Sequence, residues 1–217
     1  MSKLRIGLDI QHIGRLSRPG DQGAVADTDK DGKPDAVEAL LTPRYMLGIM
    51  EGLDRERFEV FVFGAGEYHS SSHKQAPYTR QGLANHLDLD VYLALHLNAS
   101  KDPGAGYGLF LWDHRTKPGN GDALARSIAG HWKSTAAKLL GSNMSVRARA
   151  ASRDQWSNAY YTIRGLNAPI GICCEPFFLS NPAHLLKLGT PDGLHQCGLS
   201  IAQGITAWAE SRQERQS

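Results

Sequence analysis

The segment VYLALH, at residues 91–96, is an apolar run that ends on a histidine. An uncharged run of this length is typical of a strand that is buried on both faces of a sheet. Two other apolar runs end in the same way: LRIGLDIQ (residues 4–11) leads to His12, and PIGICC (residues 169–174) leads to Glu175. These three segments therefore indicate both the fold and the place of its chemistry.

Two more apolar runs predict strands at Phe58–Phe63 and Tyr107–Trp112. Helical patterns lie between the strands. This alternation predicts an α/β fold of a single domain, whose mostly parallel, twisted sheet carries helices on both faces. In open sheets of this kind, functional sites gather beyond the carboxyl ends of the strands.

The first helix is predicted to have Thr42 as its N-cap and Pro43 as its first residue. We expect it to run toward Leu53. A second, short helix is expected after Thr79.

Two longer helices follow from apolar residues that recur at helical spacing. The first runs from Leu124 to Leu140, where Gly141 is a typical helix stop. The second runs from Leu194 to Trp208. After it, the polar end of the chain is expected to fray.

The composition is that of a globular domain, with 217 residues, of which 41% are hydrophobic and 21% are charged. We place a single domain at residues 1–210 and a polar tail at residues 211–217. The 24 basic and 22 acidic residues give a formal net charge of +2, which offers no strong field for nucleic acid or an anionic membrane.

The sequence also bears on compartment. No stretch approaches the roughly 20 apolar residues that span a bilayer. The start, MSKLRIGLDIQHIG, is too polar for the core of a signal peptide. We therefore expect synthesis in the cytoplasm. Cys173, Cys174 and Cys197 form no CxxC pair or disulfide framework and are expected to be buried, reduced thiols.

If the three strands that end on ionisable residues are parallel neighbours, then His12, His96 and Glu175 meet at one edge of the sheet. Two histidines and a carboxylate form the ligand set of a catalytic zinc site. A histidine at a strand end is also a common structural residue, and no HExxH helix is present. Placement alone leaves both interpretations open.

The segments IGLDIQHIG, ANHLDLDVYLALHLNAS and ICCEPFFLSN resemble the three signature blocks of the zinc-dependent N-acetylmuramoyl-L-alanine amidases, of the amidase_3 type. The resemblance runs from residue 4 to about residue 208. These enzymes cut peptidoglycan between the lactyl group of muramic acid and the first L-alanine. The resemblance therefore implies a zinc amide hydrolase with peptidoglycan as its substrate.

Carried onto this sequence, the resemblance makes His12 and His96 the zinc-binding histidines. It makes Glu38, in DAVEALL, the third zinc ligand and Glu175 the catalytic carboxylate, which takes a proton from the attacking water and passes it to the leaving amine. Asn98 resembles the asparagine that helps to shape the substrate groove.

This sequence departs from the family's pattern at the first histidine. The family usually has Gly-His-Gly-Gly, whereas here Gln11 precedes His12 and Ile13 follows it. The bulkier residues are expected to narrow the site or to change how substrate approaches it.

The segment DTDKDGKPDAVE, at residues 27–38, also matches a calcium loop of the EF-hand type. Its candidate calcium ligands are Asp27, Asp29, Asp31 and Asp35, with Glu38 at the twelfth position. Zinc and calcium prefer different surroundings, so both patterns compete for Glu38. We favour zinc for Glu38 and keep calcium as a secondary possibility, with a solvated acidic turn as the alternative.

Two other functions stay open at this stage. One is a zinc peptidase that cuts within the stem peptide. The other is a non-catalytic protein of the same fold that binds the wall or calcium. A compact amidase without an export signal also resembles a phage endolysin, which reaches the wall after release, whereas a bacterial enzyme would need export by another route. The sequence leaves the oligomeric state undetermined.

Overall fold

The computed structural model describes residues 2–12, 22–64, 80–113, 120–151, 162–163 and 166–214. The strands in this part of the chain are β1 (Leu4–Ile10), β2 (Val25–Ala26), β3 (Ala36–Val37), β4 (Phe58–Phe63), β5 (Val91–Leu95), β6 (Tyr107–Trp112), β7 (Ser145–Ala150) and β8 (Ile170–Glu175). The helices are α1 (Glu38–Gly52), α2 (Arg80–His86), α3 (Asn120–Leu140), α4 (Pro182–Leu188) and α5 (Pro191–Glu214).

Six strands form one twisted sheet in the order β4-β1-β5-β8-β6-β7. All neighbours in this sheet are parallel except β6 and β8. The short strands β2 and β3 pair with each other. The predicted α/β fold with a mostly parallel sheet is confirmed, and β1, β5 and β8 are neighbours at its centre.

Helices cover the two faces of the sheet unequally. Helices α1, α3 and α5 pack on one face around a large core that includes Tyr45, Trp132 and Ile201. Helix α2 packs on the other face, where Ala84 joins a smaller core with Tyr92. Among the described elements, the second face therefore carries one helix, and its core residues, such as Tyr92, are buried.

The prediction for the start of the first helix was wrong. Helix α1 begins at Glu38, so Thr42 is not its cap and Pro43 lies inside it. The Thr42 hydroxyl donates a hydrogen bond to the Glu38 carbonyl at 2.8 Å, one turn back. Thr42 therefore satisfies a group within the helix rather than at its end.

The helix starts early because another part of the chain caps it. Val37 occupies the N-cap position without a side-chain hydrogen bond. The backbone N–H of Glu38 donates to the Ala24 carbonyl at 2.8 Å, and that of Ala39 donates to the Gln22 carbonyl at 3.3 Å. These carbonyls satisfy first-turn amides that would otherwise need a capping side chain.

The sequence patterns failed to predict some other elements and predicted others with bounds that were too short. Strand β7 and helix α4 were not expected, and α3 begins at Asn120 rather than Leu124. Helix α5 continues to Glu214, so the fraying expected after Trp208 was wrong for the residues up to Glu214.

Two simpler predictions can be compared with the described part of the chain. No helix there is both long and apolar enough to cross a bilayer. Cys173, Cys174 and Cys197 are all buried and unbridged, as expected. Burial raises the pKa of each of these thiols, with smaller contributions from nearby negative groups, which keeps them in the unreactive protonated form.

Candidate functional site

Three chain segments meet at the carboxyl edge of β1, β5 and β8. His12 follows β1, His96 follows β5, and Glu175 is the last residue of β8. The backbone N–H of Gln11 donates to the Leu95 carbonyl at 3.3 Å. Parallel pairing thus continues just beyond the strands and brings these residues to one edge.

His12, Glu38 and His96 form a cluster at this edge. Each offers one ligand atom, and these atoms all lie within 4.8 Å of one another. His96 Nδ1 lies 2.9 Å from Glu38 Oε1, and His12 Nε2 lies 3.8 Å from Glu38 Oε2. The structure therefore brings together the three residues expected from sequence to hold a metal.

Backbone groups fix the Glu38 carboxylate in place. The N–H of Ala24 donates to Oε2 at 2.7 Å, and the N–H of Leu97 donates to Oε1 at 2.9 Å. Glu38 is only 3% exposed. A buried carboxylate with two amide donors and two histidines beside it has one well-defined orientation.

The charges of the cluster stabilise one another. Burial by itself raises the pKa of Glu38, but the hydrogen bond and charge of His96, together with His12 and the Ala24 N–H, outweigh it and lower the pKa. Burial lowers the pKa of His96, but the hydrogen bond and charge of Glu38 outweigh it and raise the pKa. The site therefore favours positive charge beside Glu38.

Gly23 is a site residue that the sequence analysis missed. Its φ is +77°, and a Cβ there would overlap Glu38 Oε2 and lie 2.7 Å from His12 Cδ2. Only glycine leaves room for the two side chains to meet. The signal available in the sequence was the Gly-Ala dipeptide at residues 23–24, which by itself does not show which side chains lie next to Gly23.

The His96 ring has one further feature. Its Nε2 atom is buried and has no hydrogen-bond partner among the described residues. An unpaired buried nitrogen costs about 1–3 kcal/mol. The donor set, the space kept open by Gly23 and this nitrogen all fit a site that binds a metal ion.

Glu175 is held by Asn98. The Asn98 side-chain amide donates to Glu175 Oε2 at 2.6 Å, while its carbonyl oxygen accepts the Ala99 N–H at 2.8 Å. The second bond fixes which end of the amide faces the carboxylate. Asn98 was expected to shape the substrate groove; in the structure its side chain contacts the predicted catalytic carboxylate.

Backbone hydrogen bonds also fix the distance between His96 and Glu175. The backbone N–H of His96 donates to the Cys174 carbonyl at 2.9 Å. The backbone N–H of Asn98 donates to the Phe177 carbonyl at 3.0 Å, and that of Leu179 donates to the backbone carbonyl of Asn98 at 2.8 Å. The segments that follow β5 and β8 are thus paired residue by residue.

A buried polar network supports the turn that carries His12. Arg80 donates to Asp9 Oδ1 and to the Ile10 carbonyl, each at 2.7 Å. Gln11 and Tyr92 donate to the other oxygen of Asp9. The Gln11 side chain therefore points into this network, and Ile13, the other unusual residue, lies outside the described residues. The charge of Asp9 within a buried strand was the signal for this network.

The acidic loop divides between two clusters. Asp27, Asp29 and Asp35 have carboxylate oxygens within 4.8 Å of one another, in an exposed group that does not include Asp31. Glu38 lies instead with the histidines, so it does not complete this loop as a twelfth ligand. Calcium binding by the aspartates stays a prediction.

Comparisons with known proteins give the following matches. A family model described as N-acetylmuramoyl-L-alanine amidase matches residues 7–207. The chain is similar to the CwlD amidase of Clostridioides difficile, solved with the GerS lipoprotein, with 19% identity, a TM-score of 0.72, and coverage of 96% of this chain and 100% of that one. It is also similar to an N-acetylmuramoyl-L-alanine amidase of Clostridium difficile 630, with 20% identity, a TM-score of 0.71, and coverage of 98% and 100%.

A third solved structure is the catalytic domain of CwlV, an N-acetylmuramoyl-L-alanine amidase from Bacillus (Paenibacillus) polymyxa var. colistinus. Its identity is 17%, its TM-score is 0.68, and the match covers 95% of this chain and 98% of that one. At such identities the structural likeness bears on the fold. No curated protein sequence matches this chain.

Proposed function

This chain belongs to the N-acetylmuramoyl-L-alanine amidase family, and from that premise we propose that it hydrolyses the amide bond between the lactyl group of muramic acid and L-alanine in peptidoglycan, with zinc as its metal. The proposed place of action is the cell wall, which the protein reaches after release or export.

The observation that carries the proposal is the convergence of His12, Glu38 and His96 beside Glu175. Two histidines and one carboxylate suit zinc and leave a position for water or substrate. The charge of Glu175 also contributes to raising the pKa of His96, so the two residues interact electrostatically. This interaction supports placing the proposed metal ligands and the proposed acid–base residue in one site.

When bound, zinc supplies Lewis-acid activation of the attacking water and of the scissile carbonyl. The protein's own contribution is to move the proton. Glu175 accepts a proton from water and returns it to the leaving nitrogen, because an amine leaves far more readily once it is protonated. Asn98 keeps the carboxylate in one orientation by donating to Oε2.

The proposal is tested by digesting purified peptidoglycan and identifying the fragments by mass. The zinc-loaded protein is expected to release intact stem peptides that begin with L-alanine, and a chelator is expected to stop their release. Fragments cut inside the peptide would indicate a peptidase. Binding to the wall without any fragment, in zinc-replete buffer, would indicate a non-catalytic protein.

Glu175→Gln provides the matching variant. Its expected turnover is lower by about 10²–10⁴-fold, the usual contribution of a general acid–base group. Zinc content measured by elemental analysis should stay at the wild-type level, because Glu175 is not one of the proposed ligands. Retained turnover in zinc-loaded Glu175→Gln protein would contradict the role given to Glu175.

A further inference from the structure

The face of the sheet that carries α2 also carries a row of three residues that begins at the candidate site. Leu109 of β6 pairs with Glu175 on one side and with Arg147 of β7 on the other. Residues paired in this way project from the same face of a sheet. Arg147 therefore shares a face with Glu175, two strands away.

Arg147 lies on an aromatic platform. Its guanidinium carbon is 4.8 Å from the centre of the Tyr107 ring. The Tyr107 ring is in edge contact with the Phe178 ring, with centroids 4.8 Å apart and planes at 65°. The backbone of Phe178 forms an isolated parallel β-bridge with the backbone of Asn98, and the Asn98 side chain donates a hydrogen bond to Glu175. A continuous set of contacts thus connects the guanidinium to the predicted catalytic carboxylate.

The charge of Arg147 is not balanced by a neighbour within the described ranges. Its side chain is exposed, and within the described ranges its guanidinium contacts the Tyr107 ring. Three other arginines that lie over rings have carboxylate partners: Arg5 pairs with Glu59, Arg57 with Glu210, and Arg126 with Asp122. Arg212, which lies over the Trp208 ring at the far end of α5, has no such partner among the described residues. Arg147 therefore presents a cation to solvent next to a site that contains Glu38 and Glu175.

The position of Arg147 matches the dimensions of a stem peptide. Neighbouring strands lie about 4.8 Å apart, so Arg147 and Glu175 are separated by about 10 Å in the plane of the sheet. An extended peptide advances about 3.3–3.6 Å per residue. An extended substrate whose scissile amide lies at Glu175 is therefore long enough to reach Arg147 with its second or third peptide residue.

We propose that Arg147, held over the ring of Tyr107, is a subsite for a carboxylate of the peptide that follows L-alanine in the substrate. This inference rests on the proposed amidase function. The residues after L-alanine in stem peptides carry carboxylates, and a planar guanidinium binds a carboxylate through two parallel hydrogen bonds. Arg147 also offsets the repulsion that Glu175 exerts on an anionic substrate.

The test compares Arg147→Ala with wild type on two muramyl peptides that differ only at the residue after L-alanine, which carries either a free α-carboxylate or its amide. On the carboxylate substrate, Arg147→Ala is expected to raise KM about tenfold with kcat unchanged, as for the loss of one charge-assisted contact. On the amide substrate its KM should match that of wild type. Arg147→Lys should rescue part of the effect, since it keeps the charge but not the fork.

Arg126→Ala is the matched control. Arg126 also lies over an aromatic ring, that of Trp112, but it belongs to α3 on the opposite face of the sheet. Its removal should leave both KM values unchanged. The subsite would be overturned if Arg147→Ala raised KM equally on both substrates or changed KM on neither.

Calorimetry keeps the subsite separate from the amidase proposal. If wild type cleaves neither muramyl peptide, the proposed function fails, and titration with the free L-alanyl tripeptide still tests Arg147. Weaker binding of the carboxylate tripeptide to Arg147→Ala, with no change for the amidated one, supports the subsite. Equal binding of both tripeptides to wild type and variant overturns it.

Discussion

Gly23 decides whether the metal-ligand cluster can form. A Gly23→Ala variant is expected to lose zinc and activity, because its Cβ would overlap Glu38 Oε2 and press on His12. Alanine at this positive φ also costs about 1 kcal/mol of folding free energy. Zinc content after dialysis, together with turnover, measures the effect.

Gly141→Ala is the control for backbone strain. Gly141 has a similar φ of +72°, but nothing lies within 4 Å of where its Cβ would be. This variant should lose comparable stability and keep its zinc. If Gly23→Ala retained full zinc content, Gly23 would not be the residue that keeps the cluster open.

At the residue scale, the sequence was sufficient to predict the site residues that lie at the ends of strands. His12, His96 and Glu175 follow apolar runs, and parallel pairing brings such ends together. Gly23 and Arg147 were missed because their neighbours come from elsewhere in the chain. No local pattern shows that a Cβ at Gly23 would meet Glu38, or that Arg147 lies over Tyr107.

At the scale of elements, helices α1 and α5 depend on glycines where they cross. A Cβ on Gly198 would overlap the Tyr45 carbonyl and lie 2.7 Å from Gly48 Cα. Gly198→Ala is therefore expected to lower the free energy of unfolding by about 1–3 kcal/mol, as for overpacking of a tight interface. Urea denaturation measures the change.

Gly130→Ala, in α3, is the matched helical glycine. A Cβ at Gly130 would meet nothing within 4 Å, so alanine there should raise the free energy of unfolding by about 0.5–1 kcal/mol through helix propensity. Equal effects of the two variants would mean that the α1–α5 crossing does not depend on close contact at Gly198.

The sequence predicts elements well where the apolar pattern is local and poorly where other segments complete them. All five apolar runs became strands. Burial on both faces favours such runs in the inner strands β1, β5, β6 and β8, whereas the edge strand β4 exposes Glu59 and Val62. The start of α1 was misplaced because carbonyls of Ala24 and Gln22 replace a capping side chain. Strand β7 was missed because its segment, SVRARA, alternates small or apolar residues with arginines instead of forming a continuous apolar run.

At the scale of the whole molecule, the cluster joins distant parts of the chain. Its residues come from the end of β1, the start of α1 and the turn after β5. An ion that binds only the folded protein stabilises it, by about 2.7 kcal/mol at a hundredfold excess over Kd. Zinc is therefore expected to raise Tm, and a chelator is expected to reverse the rise.

Two variants assign this effect to a cluster. Glu38→Gln removes a proposed zinc ligand and should abolish the rise in Tm. Asp29→Asn alters the exposed acidic group instead and should leave the rise unchanged. The opposite result would place the stabilising zinc in the acidic loop.

The rise in Tm with zinc should also grow as the pH increases from about 5 to about 7.5, because protons and zinc compete for the same imidazole. In the zinc-free protein, burial opposes charge on His96, but Glu38 outweighs burial and raises the pKa above 6.5. Because the pKa of His96 is higher in the folded than in the unfolded protein, protonated His96 stabilises the zinc-free fold. This stabilisation is complete at a pH below the pKa of the unfolded state, and it is lost as the pH rises through the pKa of the folded state. Zinc binds the unprotonated ring, so its advantage increases over the same range. Differential scanning calorimetry at matched free zinc measures it, and a rise that is constant with pH would show that no histidine proton is displaced on binding.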